Sequence, residues 1–339
     1  MRKHRKLLYS FALSTITMTL IFNPNLSKAE KNIKKNINLS KKPPSGFKSD
    51  KYLNEIKNIY DSNEKNSKNK KESSKNDMLS KKINNIISEE SKKLDGNWQI
   101  AVDTIKGKSN ISIERKSDSK NEALPSASTI KIFIGLEAYR QVESGILKEE
   151  NVENDIYLML KDSNNEATNR LIDLIGKNNM EKASKNVGEI IRKITGKNRT
   201  TLYRKMLQDG KENMTNAKDL NMALKAIYYG KIVNRDHSNK LMKAMAENNT
   251  TSNFKLLSKL PKSAKGLNKS GELPNIGVEN DAALIGVGED IFAISFLSQN
   301  SKPVEDGSGP QFDAMQNLGK KISEAFIEFG EKNNWVLKV

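Results

Sequence analysis

The sequence predicts an α+β fold: an antiparallel sheet flanked by terminal helices, with an all-α sub-domain inserted. Three observations predict it. Two β-branched runs, WQIAVDTI and ISIERK, follow a short helical pattern near residue 79; five helix-patterned segments fill the middle; strand-like runs return before a last amphipathic helix. Strands at both ends around a helical middle describe a sheet interrupted by an insertion.

The chain has 339 residues, enough for one large domain or two small ones. It opens with the basic MRKHRK, then the uncharged LLYSFALSTITMTLIF, then Ser27 and Ala29 at the −3 and −1 positions before Glu30. That order predicts a secretory signal peptide over residues 1–29. The alternative is an uncleaved membrane anchor, although the apolar run falls short of the roughly 20 residues that span a bilayer. Either way the remainder is expected outside the cell, secreted or attached to the envelope.

Residues 30–78 are dominated by Lys, Asn, Ser and Glu and offer little to bury, so they read as a disordered tether. A short amphipathic piece, YLNEIKNIY, lies within it. The tether is either a solvated spacer or a cationic contact for anionic wall polymers or the membrane face. The globular domain is expected over 79–339, with 79–126 and 263–339 as its α/β part and 127–262 as its helical part.

Within that domain, Leu79, Ile83, Ile86 and Ile87 have helical spacing that stops at Gly96. KGKSN is the turn between the first two strands. After Pro125, STIKIFIGLEAYRQVESGIL predicts a helix starting near Ser128 and stopping near Gly145, too apolar for a surface helix. NDIYLMLKDS, NEATNRLIDLIG, MEKASKNVGEIIRKI, NAKDLNMALKAIYYGKI and SNKLMKAMAEN supply the helical middle. GLNKSGEL, NDAALIGVG and DIFAISFLSQ read as a hairpin series, and FDAMQNLGKKISEAFIEFGEK as the closing helix.

Composition excludes several chemistries. There is no cysteine, hence no disulfide framework and no thiolate nucleophile, and the only histidines are His4 and His237. A histidine-based metal site or Ser-His-Asp triad has little to draw on. His237 reads as a surface or helix-start residue. No metal or cofactor is expected. The net charge of +17 invites a nucleic-acid reading, but aromatics make up only 6% and much of the basic excess lies in the tether, so no nucleic-acid partner is expected.

Chemistry concentrates at Ser128. Lys131 follows three residues later on the same face of one turn, and a lysine can take a serine's proton if burial or a second cation lowers its pKa. Free N–H groups at a helix start can face a developing oxyanion. The spacing alone is weak, since Ser45, Ser67, Ser117 and Ser252 also precede a lysine by three residues. Context distinguishes Ser128: an LPSAS entry and a core helix. Two clusters follow in order. Ser163-Asn164-Asn165 forms a polar turn between helices. Lys269-Ser270-Gly271 lies on a late strand, with the glycine allowing close backbone approach.

In this order, the residues resemble the class A β-lactamase and penicillin-binding protein superfamily, with its Ser-x-x-Lys, Ser-Asp-Asn and Lys-Thr-Gly motifs. SASTIK, SNNEATNRLID, KSGEL and GVENDAALI carry the resemblance, which spans Leu79 to Val339. It implies that Ser128 is the nucleophile, Lys131 its base, and Ser163 the proton shuttle to the leaving nitrogen. Asn165 would contact a substrate amide, and Lys269 and Ser270, beside Gly271, would hold the substrate carboxylate. The N–H groups of Ser128 and Glu272 would form the oxyanion hole.

Three departures qualify the implied activity. The second motif is Ser-Asn-Asn. Ser128 and Ser163 are only 35 residues apart (163 − 128), which implies a lower wall on one side of the cleft. The Arg-x-Glu segment that carries the deacylating glutamate corresponds to Arg204-Lys205-Met206, so only Asp209 or Glu212 could replace that base. The resemblance therefore implies a serine hydrolase that opens a β-lactam amide, with slow release of the acyl group. The alternatives are a D-alanyl-D-alanine-type peptidase acting on peptidoglycan stem peptides, or a binding protein that does not turn them over.

Overall fold

The computed structural model describes residues 70–248, 254–305 and 307–332. The expected signal peptide, the tether over 30–69 and Ser252 lie outside the described residues. The described residues from Ser73 onward form one compact unit.

Helix α1 spans Lys70–Ser91 and so begins nine residues before Leu79, in sequence that composition alone assigns to the tether. It is anchored by Leu79, Ile83, Ile86 and Ile87, all buried. Once those turns are docked, each upstream residue adds a hydrogen bond without a new nucleation cost, and Lys and Glu are good helix formers.

Strands β1 (Asn97–Lys106) and β2 (Ser112–Lys116) pair antiparallel as expected. A two-residue strand β3 (Leu124–Pro125) leads into a 3₁₀ turn over Ala127–Ile130 and then helix α2 (Lys131–Glu143). The helical part continues with α3 (Glu153–Lys161), α4 (Asn165–Gly176) and α5 (Met180–Thr195). Strand β4 (Met214–Thr215) pairs with β3, and α6 (Ala217–Tyr229) and α7 (Arg235–Ala246) follow. Asn164, Asn179, Asn216 and Asn234 each cap the helix that follows by accepting a backbone N–H with the side chain.

Strands β5 (Ala264–Leu273), β6 (Val278–Val287) and β7 (Asp290–Gln299) return to the sheet, and α8 (Pro310–Lys332) closes the described structure. The sheet order is β2-β1-β7-β6-β5, every neighbour antiparallel. Helices α1 and α8 bury their apolar stripes against one face, where Phe292 of β7 stacks on Phe326 of α8 at 4.3 Å. Helix α6 packs against β1, β7 and β6. Covered from both sides, β6 is buried along its whole length and β7 along all but its last residue, so neither strand alternates between a buried and an exposed face, and β6 encloses Glu279, Asn280 and Asp281. Strand β5 is one of the two edge strands, and it lies beside the 3₁₀ turn.

Candidate active site

The chain entering the 3₁₀ turn is held from two directions. Ser126 donates its N–H to the Asn213 carbonyl at 2.7 Å, while the Asn280 side-chain amide, reaching across from β6, donates to the carbonyls of Pro125 and Ser126 at 2.9 and 3.2 Å. The Asn280 oxygen accepts the Ser298 N–H at 3.0 Å, so this amide ties β7 to the turn. Ala127 adopts a positive φ of 45° within this frame. Ser128 sits inside the turn, and the α-helix starts only at Lys131. This differs from the expected helix start at Ser128, yet it strengthens the pairing. A 3₁₀ turn has about 3.0 residues per turn, so residues three apart eclipse. Ser128 is half-buried while Ala127, Thr129, Ile130 and Lys131 around it are buried, so one hydroxyl of the segment keeps access to the outside.

Lys131 is fully buried, and its ammonium nitrogen lies 2.7 Å from the Ser163 carbonyl, 2.8 Å from Asn165 Oδ1 and 3.2 Å from Ser163 Oγ. None of these partners is Ser128. Burial, reinforced by the charge of Lys269 and opposed by Glu272, lowers its pKa to about 6. The contact set suits a neutral amine: two N–H bonds to two oxygen acceptors, and a lone pair left for a hydroxyl.

Lys269 of β5 is buried and donates to Ser163 Oγ at 3.0 Å and to the Ser270 carbonyl at 2.9 Å. Burial brings it down to about 8, against the raising effect of Glu272 and Asp281 and with a small contribution from Lys255. Ser163, on the turn between α3 and α4 at φ 53°, thus bridges the two lysines. Asn164 between Ser163 and Asn165 is the N-cap of α4, accepting the Ala167 N–H at 2.8 Å. Asn and Asp cap about equally well, which explains physically why Ser-Asn-Asn is tolerated here.

Gly271 brings β5 against the nucleophile's turn. A Cβ there would lie 2.6 Å from the Ser128 nitrogen and 2.9 Å from that of Thr129, so only glycine allows this approach. Ser270 is buried and hydrogen-bonds the Glu272 carboxylate in this structure. Glu272 is also bonded to Lys255 at 2.7 Å. The structure therefore brings Ser128, Lys131, Ser163, Asn165, Lys269, Ser270, Gly271 and Glu272 to one place.

It adds residues that motif spacing did not single out: Asn280, Asn213, Lys255 and Asp281. Asp281 is buried, its pKa pushed up by burial to about 6, and it accepts both Asn268 Nδ2 bonds and the Leu256 N–H. A usable signal existed in NDAAL, because two adjacent polar residues inside a fully buried strand call for partners.

The loop between α5 and β4 holds Arg204-Lys205-Met206, the segment that corresponds to the expected Arg-x-Glu. Asn169 grips Met206 twice, accepting its N–H at 2.7 Å and donating to its carbonyl at 3.1 Å, and Lys205 pairs with Asp173 at 2.6 Å. Glu212 is bonded to Arg204, and Asp209 is exposed. No hydrogen bond among the described residues joins either carboxylate to Ser128, Lys131 or Ser163.

His237 lies in the first turn of α7 but is buried rather than on the surface, stacked on Tyr139 at 4.3 Å with Nδ1 2.7 Å from Glu143. Ligand atoms of His237, Glu149 and Asp236 lie within 4.8 Å of one another, but Lys240, 2.5 Å from Glu149 and 3.7 Å from Asp236, already supplies a cation there.

Residues 148–326 match the sequence model of the family described as the beta-lactamase enzyme family. No curated protein matches the chain. Among solved structures the fold is similar to PBP-A, at 16% identity and a TM-score of 0.61 over 74% of this chain and 97% of that one. A PBP-A mutant seen as an acyl-enzyme complex with penicillin G aligns at 16% identity and a TM-score of 0.60, covering 73% and 97% of the two chains. A beta-lactamase from Xanthomonas campestris is similar at 19% identity and a TM-score of 0.60, over 74% and 98%. A class A beta-lactamase from Mycobacterium abscessus gives 18% and 0.59, over 72% and 99%.

Proposed function

Since the chain belongs to the beta-lactamase enzyme family, we propose that it is an exported serine acyl hydrolase that is acylated by β-lactams on Ser128 and releases the acyl group slowly. One observation carries the reading: Lys131 and Lys269, both buried, converge on the Ser163 hydroxyl beside the turn that holds Ser128. In the proposed reaction neutral Lys131 takes the Ser128 proton as Oγ attacks the lactam carbonyl carbon. The tetrahedral oxyanion is held by the N–H groups of Ser128 and Glu272. The proton passes through Ser163 to the leaving nitrogen, the C–N bond breaks, and an ester on Ser128 remains. Lys269 and Ser270 hold the substrate carboxylate, and Asn165 its amide.

Release of the ester needs a base for water, and here the loop offers Met206 where the family's glutamate is expected. Glu212 is engaged by Arg204. This supports slow turnover. A second reading has a specific observation behind it: only residues 144–152 connect α2 to α3, a short link consistent with a low cleft wall open to peptidoglycan stem peptides.

Intact-protein mass measurement after incubation with a penicillin, beside absorbance of a chromogenic cephalosporin, tests the proposal. The expected result is a persistent adduct absent from Ser128→Ala and little cephalosporin hydrolysis. Fast turnover would show another base at work, and no adduct on the folded protein would overturn the proposal.

A further inference from the structure

The two N–H groups assigned to the oxyanion come from different elements, Ser128 from the 3₁₀ turn and Glu272 from β5. A Cβ on Gly271 would lie 2.6 Å from the Ser128 nitrogen, and the Glu272 nitrogen follows two bonds beyond that glycine's Cα. The gap between turn and strand therefore sets the spacing of the two donors. Strand β5 cannot set it unaided, because an edge strand is paired on one side only, here with β6.

Lys255 joins the two elements. Its buried ammonium lies 2.7 Å from the Glu272 carboxylate on β5, 2.7 Å from the Glu279 carboxylate on β6 and 3.2 Å from the Asn280 carbonyl. Glu272 and Glu279 are register partners, and carboxylates directly opposite each other repel unless a cation stands between them. Asn280 is the residue whose side chain holds the turn, through the carbonyls of Pro125 and Ser126. One ammonium thus touches the residue that carries one donor and the residue that fixes the segment carrying the other.

The lysine is itself held fast. Leu256 beside it donates its N–H to Asp281 of β6 at 3.2 Å, and Gly319 of α8 packs so closely that a Cβ there would collide with the Leu256 carbonyl oxygen. The Phe312 ring of α8 lies 5.1 Å from the ammonium. Burial opposes the charge on Lys255, but the two carboxylates outweigh it and keep the amine protonated. We propose that Lys255 is a positioning residue for the oxyanion hole: it fixes the Glu272 end of β5 against the Ser128 turn and so keeps both N–H groups at the spacing an oxyanion requires. The inference rests on the reading of Ser128 as the acylated nucleophile.

The experiment compares the full-length parent with Lys255→Met and Lys321→Met, reading the rate of acylation by penicillin G and the infrared stretch of the adduct's ester carbonyl. Well-placed donors polarise that carbonyl and lower its frequency. Lys321→Met serves as the control, because it strips a cation 2.6 Å from buried Glu90, between α8 and α1, and so disturbs a carboxylate that holds neither donor. Lys255→Met is expected to slow acylation about 100-fold, the cost of a misplacement near 1 Å. The penicillin concentration for half-maximal rate should stay in place, and the carbonyl band should move to higher frequency. In Lys321→Met both rate and band should match the parent. A folded Lys255→Met with the parent's rate and band, or an equal change in Lys321→Met, would overturn the inference. Should Lys255→Met fail to fold, Lys255→Met with Glu279→Gln carries the same expectation, since the one carboxylate then left without its cation, that of Glu272, is 19% exposed and reaches water. Absence of any adduct on the parent would refute the reading of Ser128 and this inference with it, whereas an adduct indifferent to Lys255 would refute this inference alone.

Discussion

At the scale of single residues, Lys131 must be neutral to accept a proton and Lys269 charged to hold an anion. Acylation is therefore expected to rise with pH through about 6, where Lys131 loses its proton, and to fall through about 8, where Lys269 loses its own. Rates of penicillin adduct formation across that range check the bell. Lys131→Arg keeps a cation that cannot deprotonate, and should slow acylation about 10²- to 10⁴-fold, the usual worth of a positioned base. Release is a separate matter. Met206 is held at both its N–H and its carbonyl by Asn169, so a carboxylate grafted there sits on a fixed backbone. Met206→Glu is expected to shorten the lifetime of the Ser128 adduct by about 100-fold, read by mass spectrometry after excess penicillin is removed. Ser128 was legible because a serine, a lysine three residues on and an apolar helix are all local. Lys255, in the loop before β5, was not, because its partners Glu272 and Glu279 lie on β5 and β6, and no spacing in the chain connects them.

At the scale of elements, the site depends on how closely β5 approaches the 3₁₀ turn. Gly271→Ala puts a methyl group 2.6 Å from the Ser128 nitrogen, and backbone cannot rotate aside as a long side chain would. The strand must back away, which costs about 1–3 kcal/mol as overpacking. The displacement is expected to slow acylation about 100-fold, since errors near 1 Å cost that much; thermal unfolding and adduct kinetics measure the two effects. The strand and helix assignments followed from periodicity, and the described elements keep the expected order. Boundaries slipped where tertiary contacts decide them. The 3₁₀ turn is held by Asn280 and Asn213, distant in sequence, so no local pattern marks Ser128 as lying before the α-helix rather than at its start.

At the scale of the whole molecule, the question is how far toward the N-terminus the fold depends on the chain. Composition drew that line at Leu79 because Lys, Asn and Ser bury little; the structure carries α1 back to Lys70, but its buried anchors remain Leu79, Ile83, Ile86 and Ile87. These four close the same core as Phe312, Leu318, Ile322 and Phe326 of α8. Burying one such side chain is worth about 1.5–3 kcal/mol, so losing four rivals the entire stability of about 5–15 kcal/mol expected for a domain. Deletion of residues 1–72 is accordingly expected to leave the melting temperature within about 3 °C of the parent, a change near 1 kcal/mol at this size. Deletion of residues 1–92 removes α1, exposes the α8 face, and should abolish cooperative unfolding. Circular dichroism melts of the two truncations decide it. A cooperative transition in the shorter chain would show that α8 and the sheet hold the fold without α1.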